Sequence, residues 1–214
     1  MIDASSSDEE ILDVLHRTAD AVAGVLQANT DWSLSGKRAT QYSVDLAADA
    51  AALAVLHGAG CAVLSEESQI TGEWKTGGLM VVMDPLDGST NASKRVPWYA
   101  TALCAIDADG MRASLVVNQA SGRDRYWATR GGGAFHNGIR LQVAERNTLR
   151  DSVIGFLACR VFGLRGVSSV RSARRHSTSA SSPPARSMAG STSTATACGT
   201  TSRACSCARK LASS

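Results

Sequence analysis

The chain has 214 residues, 44% of them hydrophobic, and a formal net charge of +3. That is enough for one good-sized domain with a real core, or one and a half. No run of 18 apolar residues exists, which excludes a membrane-spanning helix, and the acidic, polar start "MIDASSSDEE" does not read as a secretory signal.

Ser7 to Glu10 reads as a capping box, with the Ser hydroxyl and the Glu carboxylate each satisfying a free backbone N–H of a helix start. Ile11, Leu12, Val14, Leu15, Ala19, Val22, Val25 and Leu26 then recur at helical spacing, so a helix is predicted over about 8–28. A loop with "SGKRATQYS" follows. "DLAADAAALAVLH" is a second helix, with Gly58 as its C-terminal cap. "CAVL" is a short strand running into "SEES", and "GLMVVM" a buried strand running into "DPLDGST". "YATALCAID" and "ASLVVNQ" are strands joined by "DADGM". "RDRYWATR" is another strand, "GGGAFHNG" a turn-rich segment and "IRLQVA" a final strand. Helices first and hairpin-connected strands afterwards predict an α+β domain, two helices on an antiparallel sheet.

The chain then changes character. Residues 1–150 carry 13 Lys+Arg and 18 Asp+Glu, a net of −5; residues 151–214 carry 9 and 1, a net of +8. From about residue 165 the text is rich in Ser, Thr, Ala and Arg without a period of 2 or 3.6, which predicts disorder. The tail's arginines lack interleaved aromatics, so no specific nucleic-acid binding is expected. Six cysteines, at 61, 104, 159, 198, 205 and 207, show no zinc spacing. Cys61 and Cys104 read as small buried hydrophobes of a cytoplasmic protein.

The chemistry concentrates in "MDPLDGSTN", residues 83–91. Asp84 and Asp87 project from one turn that Pro85 stiffens. Gly88 permits close backbone approach, and the N–H groups of Gly88, Ser89 and Thr90 could cradle a phosphate. A hard divalent ion seeks such oxygens: Asp84 could bridge two ions, Asp87 hold the second, and Glu66 reach the first. Taken alone, two aspartates beside a glycine are more often turn caps. The combination with a buried strand, the Gly-Ser-Thr run and a second acid pair upstream points to a site. His57 at a helix end, His136 in a glycine turn, Trp98 and Tyr99 at a strand start, and Gly131, Gly132 and Gly133 without a following Lys-Ser/Thr carry no comparable signal.

Four segments resemble the inositol monophosphatase family in order and spacing: "VLSEES", "MDPLDGSTN", "VPWYATALCAID" and "GGGAFHNGIRLQV". The resemblance covers about residues 8–155. It implies the N-terminal half of that family's fold and Mg²⁺-dependent hydrolysis of a small phosphorylated metabolite. Carried over, Glu66, Asp84, the Leu86 carbonyl and Asp87 are the metal ligands, with Glu66 also counted as catalytic. Ser89 orients the attacking water, and Asp49 in "DLAAD" supports it, with Asp45 the competing match. Asp87, Gly88, Ser89 and Thr90 hold substrate, Lys37 is the basic residue of the preceding loop, and Glu67 orients its neighbour. Inositol phosphates, fructose bisphosphate, histidinol phosphate and nucleotide 3′-phosphates all remain open as substrates, as does a homodimer.

The family's later Trp-Asp-x-x-Ala-Gly motif, which completes the second metal site, is missing. With GC-rich codons assigned to residues 199–212 and the reading started one base earlier, the bases spell Trp-Asp-Tyr-Leu-Ala-Gly-Val-Leu-Val-Cys-Ala-Glu-Ala-Gly. This predicts a frameshift between about residues 157 and 172. Residues 1–156 then form the metal-bearing domain, and residues 157–214 an out-of-frame tail that replaces the second α/β domain. Little or no turnover is expected of the chain as written.

Overall fold

The computed structural model describes residues 1–121 and 124–142, together with the backbone of the two-residue strands β9 (Gly155–Phe156) and β10 (Arg171–Ser172), which pair antiparallel. Apart from the backbone of β10, the tail lies outside the described residues, as do its predicted disorder and the predicted frameshift. Helix α1 (Asp8–Ala28) begins at the expected capping box: Ser7 Oγ accepts from Glu10 N, and the Glu10 carboxylate accepts from Ser7 N at 2.8 Å. Its apolar stripe of Ile11, Val14, Leu15, Ala19 and Val22 is buried. Helix α2 (Ser43–Gly58) buries Val44, Ala48, Ala52 and Leu56. Gly58 is its last helical residue and not its cap; the left-handed position is Gly60, at φ +90°.

Eight strands form one sheet in the order β2-β1-β3-β4-β5-β6-β7-β8. They are β1 (Ala62–Ser65), β2 (Gln69–Thr71), β3 (Met80–Asp87), β4 (Ala100–Asp107), β5 (Gly110–Asn118), β6 (Arg125–Thr129), β7 (Gly133–His136) and β8 (Ile139–Arg140). The sheet is mixed and not purely antiparallel, because β1 and β3 run parallel, Ala62 facing Met80 and Ser65 facing Met83. The cause is β2. It folds back as a hairpin on the outer side of β1, so the chain crosses β1 before laying β3 on the other side. The exposed, polar β2 carries no apolar alternation and was not legible as a strand. "GGGAFHNG" supplies β7 as well as turns, while the strand predicted from "IRLQVA" is only two residues long.

The helices cover one face of the sheet. There, Ile11, Leu15 and Val22 of α1 join Ala52 and Leu56 of α2, and Val63, Val81, Met83, Leu103, Leu115 and Val117 of the strands, in one core. Every residue of β3 from Met80 to Leu86 is buried, as for a central strand enclosed on both faces. In β5 burial alternates from Ala113 onward, the period of a strand with one covered face. Cys61 and Cys104 are buried, as expected, and burial pushes the Cys61 thiol up to about 11. Among the described residues no helix is long and apolar enough to cross a membrane.

Candidate active site

The site forms where β3 leaves the sheet. The β3–β4 ladder runs in register from Met80 to Asp84, then shifts before it resumes at Asp87 opposite Ala100. Pro85 sits in this irregularity, where a missing N–H costs no ladder bond. The Thr101 hydroxyl, fully buried on β4, donates to the Pro85 carbonyl at 2.8 Å. Gln119 Nε2 donates in turn to Thr101 Oγ1 and to the Ala19 carbonyl of α1. The kink that separates Asp84 from Asp87 is therefore held from behind by a polar chain reaching α1. Nothing in the motif points to Thr101 or Gln119, because neither belongs to the acidic turn.

Beyond Asp87 the chain turns at Gly88, φ +88°, and enters the short helix α3 (Ser89–Ser93). A Cβ on Gly88 would stand 2.9 Å from the Trp98 carbonyl oxygen, so the position requires glycine for space as well as for conformation. Asn91 Nδ2 donates to the same carbonyl at 2.8 Å and fixes α3 against the following loop. Asn91 N and Ala92 N both return to the Gly88 carbonyl, which leaves the N–H groups of Ser89 and Thr90 ahead of the helical ladder.

Asp45, Glu66, Glu67, Asp84, Leu86, Asp87, Gly88 and Ser89 line one cleft, with Arg38, Thr40 and Gln41 from the loop before α2. Asp49 does not line the cleft; it lies one helical turn further along α2, buried, where it accepts from the Ser65 hydroxyl of β1. Asp45 is the α2 aspartate in the cleft. The two occupy equivalent positions on successive turns of one face, so periodicity could not separate them. Lys37 likewise does not line the cleft, and the basic residue there is its neighbour Arg38.

The electrostatics are those of crowded acids. Burial, then the Glu66 side chain within hydrogen-bonding reach, then the charges of Glu66 and Asp87 push Asp84 well above the ordinary carboxylate range. Burial and the Glu66 charge raise Asp87. Burial raises Asp45 to about 6; the backbone N–H of Tyr42 and the Ser89 hydroxyl oppose this, and Glu67 and Glu66 add to it. Asp45 Oδ2 accepts from Tyr42 N at 2.8 Å, while its Oδ1 is buried with no hydrogen-bond partner.

Among the described residues no group of three or more His, Cys, Asp and Glu side chains is drawn close enough together to hold an ion by itself. The cleft nevertheless fits a hard cation. Its donors are carboxylate oxygens and a strand-end carbonyl, and the crowding by Glu66 and Asp87 that raises Asp84 is one that a cation between them would relieve. An open carboxylate site that relies on waters and substrate oxygens for its remaining ligands suits Mg²⁺ better than a closed cage does.

An α+β domain with helices on one face of a mixed sheet, and an open acidic cleft where its central strand kinks, defines the class. Comparison with known proteins gives it a family. The model of the inositol monophosphatase family matches residues 8–212, past the point where the four motifs end. The chain belongs to the inositol monophosphatase family. A fructose-1,6-bisphosphatase/inositol-1-monophosphatase of Archaeoglobus fulgidus is 35% identical over 123 residues, covering 56% of this chain and 47% of the relative. The inositol-1-monophosphatase of Rhizobium meliloti is 42% identical over 74 residues, 35% of this chain and 27% of the relative. The Nus factor SuhB of Pseudomonas aeruginosa is 34% identical over 128 residues, 58% of this chain and 47% of the relative. The matches thus span about half or less of these relatives' length. Among solved structures, the extragenic suppressor protein suhB of Bartonella henselae superposes with a TM-score of 0.59 at 26% identity, covering 66% of this chain and 57% of that one. The inositol monophosphatase of Anabaena shares the fold with a TM-score of 0.52 at 22% identity, over 64% and 51%.

Proposed function

We propose that residues 1–156 are the metal-bearing half of a Mg²⁺-dependent phosphomonoesterase acting on inositol monophosphate or a related small phosphate ester in the cytoplasm. The observation that carries this reading is the cleft itself. Asp84, Asp87 and Glu66 crowd together at the end of β3, directly before a glycine-initiated turn whose Ser89 neighbours Asp45. Asp84, Asp87, Glu66 and the Leu86 carbonyl would hold Mg²⁺, which when bound supplies positive charge to the phosphate oxygens and acidity to a water. The Ser89 and Thr90 N–H groups bind phosphate oxygens. Asp45, through Ser89, orients the attacking water and takes up its proton. The water oxygen attacks phosphorus, the ester P–O bond breaks, and the leaving alkoxide takes a proton from solvent, giving an alcohol and inorganic phosphate.

We further infer that the coding sequence shifts frame between about residues 157 and 172. Support comes from the Trp-Asp-x-x-Ala-Gly text recovered one base away, and from the change from 18 acidic residues in 1–150 to one in 151–214. Sequencing the gene across the codons for residues 155–214, then expressing both versions, tests the two readings together. One base gained or lost, with Mg²⁺-dependent phosphate release from inositol 1-phosphate only in the restored protein, is the expected result. An intact frame sinks the frameshift and favours a chain that binds Mg²⁺ and phosphate without turnover. A restored protein that releases no phosphate from any of the four substrate classes sinks the phosphatase.

A further inference from the structure

We infer that Arg38 is a positioning residue for the cation site, latching the loop before α2 onto the turn that carries Glu66. This rests on the proposed Mg²⁺ site. Arg38 Nη1 donates to the Glu66 carbonyl at 3.0 Å, and Nη2 to the Glu67 carbonyl at 2.5 Å. One planar guanidinium thus grips two consecutive peptides of the segment that presents Glu66 to the cleft. Nη1 also lies 3.5 Å from the Glu67 carboxylate, which accepts from Gln41 Nε2 as well. Glu67 N in turn donates to Ser65 Oγ, so the turn is held from β1 below and from the loop above.

The opposite end of the loop is fastened across the cleft. Ser93 Oγ of α3 donates to Tyr42 Oη, and an isolated bridge pairs Leu34 with Tyr42. The segment from residue 34 to 42 therefore spans from the Glu66 turn to the helix that follows Asp87. The two sides that must hold one cation are tied together by it.

Magnitudes decide what Arg38 contributes. Its side chain is 45% exposed, so the ion pair with Glu67 adds little to stability. Its two bonds to backbone carbonyls do something else: they fix the peptide planes that set where Glu66 points. An open carboxylate site depends on such outer contacts, and removing one typically weakens metal affinity by about 10- to 100-fold. Lysine keeps the charge but not the fork, so it cannot hold both carbonyls.

The test uses the purified 214-residue chain and Mn²⁺ as a spectroscopic substitute for Mg²⁺. Binding is read from the free-ion signal in electron paramagnetic resonance, with melting in EDTA as a control on folding. Arg38→Ala is expected to weaken Mn²⁺ binding at least tenfold, in line with other outer-contact losses, with an unchanged metal-free melting temperature. Arg38→Lys is expected to recover little of it. Wild-type affinity in Arg38→Ala overturns the latch, and full rescue by lysine overturns the role of the fork. A lower melting temperature matching the lost affinity makes Arg38 a stability residue and also overturns it. Failure of the wild-type chain to bind Mn²⁺ sinks the cation site itself, an outcome distinct from the others.

Discussion

Replacing Asp84 by Asn should stabilise the metal-free protein while destroying its response to Mg²⁺. Asp84 is 8% exposed, and its neighbours Glu66 and Asp87 both carry acids. In the metal-free fold at pH 7 it retains a proton that an unfolded chain releases near its usual value. Holding that proton across roughly three pH units costs at most about 4 kcal/mol. Asparagine needs no proton, but it is a weaker acceptor for the Leu86 N–H that now donates to Asp84 Oδ1. A net gain on the order of 1–3 kcal/mol remains, or roughly 2–12 °C for a chain of this size. The wild type should gain about 2.7 kcal/mol at a Mg²⁺ concentration 100 times Kd, and Asp84→Asn nothing. Scanning calorimetry of both proteins in EDTA and in Mg²⁺ measures the two effects separately. If Asp84→Asn melts below the wild type in EDTA, or keeps the Mg²⁺ shift, the reasoning that treats this cluster as an ion site short of its ion is wrong.

In the restored-frame protein, Asp45→Asn should lower phosphate release by about 10²- to 10⁴-fold and leave Mg²⁺ affinity near the wild-type value, whereas Asp49→Asn should act through stability; steady-state kinetics beside calorimetry separates them. Gly88→Ala places a methyl group 2.9 Å from the Trp98 carbonyl at φ +88°; the left-handed conformation alone costs about 1–2 kcal/mol, so a lower melting temperature and weakened Mg²⁺ binding are expected together. Far from the site, burial pushes Asp107 up, but the Arg130 guanidinium, the Asp109 N–H and Arg112 outweigh it and hold the carboxyl below its ordinary value. Its contribution is therefore complete above about pH 4 and is lost as pH falls through the lower folded value. Asp107→Asn should flatten the acid limb of the stability profile, read from urea midpoints at several pH values.

Much of the frame was legible because its signals are local. The Ser7–Glu10 box and the stripe from Ile11 to Leu26 fix α1 without reference to anything else. The unbroken apolar run into Asp84 marks β3 as enclosed on both faces. What escaped was whatever a distant partner decides. The parallel pairing of β1 and β3 depends on where the polar hairpin β2 lies, and nothing in "SQITGE" announces a strand. The choice between Asp45 and Asp49 depends on which turn of α2 faces the cleft, and both turns offer an aspartate at the same helical phase. Arg38, Thr101 and Gln119 act through bonds to backbone carbonyls, which any sequence supplies, so their partners cannot be read from residue types.

These escapes share a physical basis that bears on how the site works. Side chains that hold ions or substrate must be acids, glycines or hydroxyls at fixed spacing, so they leave a motif. Residues that aim them need only a donor within reach of a peptide oxygen. In this cleft the aiming is done from three directions: Thr101 on Pro85 from within the sheet, Arg38 on Glu66 and Glu67 from the loop, and Asn91 on Trp98 from α3. Mutually repelling carboxylates would otherwise relax apart when no cation is bound. Holding them in place costs the metal-free fold stability, and a cation at the proposed site would return it by screening the repulsion. Cation affinity and metal-free stability should therefore move in opposite directions when a carboxylate of the cluster is neutralised, but not when one of the aiming residues is removed. That contrast between Asp84→Asn and Arg38→Ala separates the groups that bind from the groups that position them.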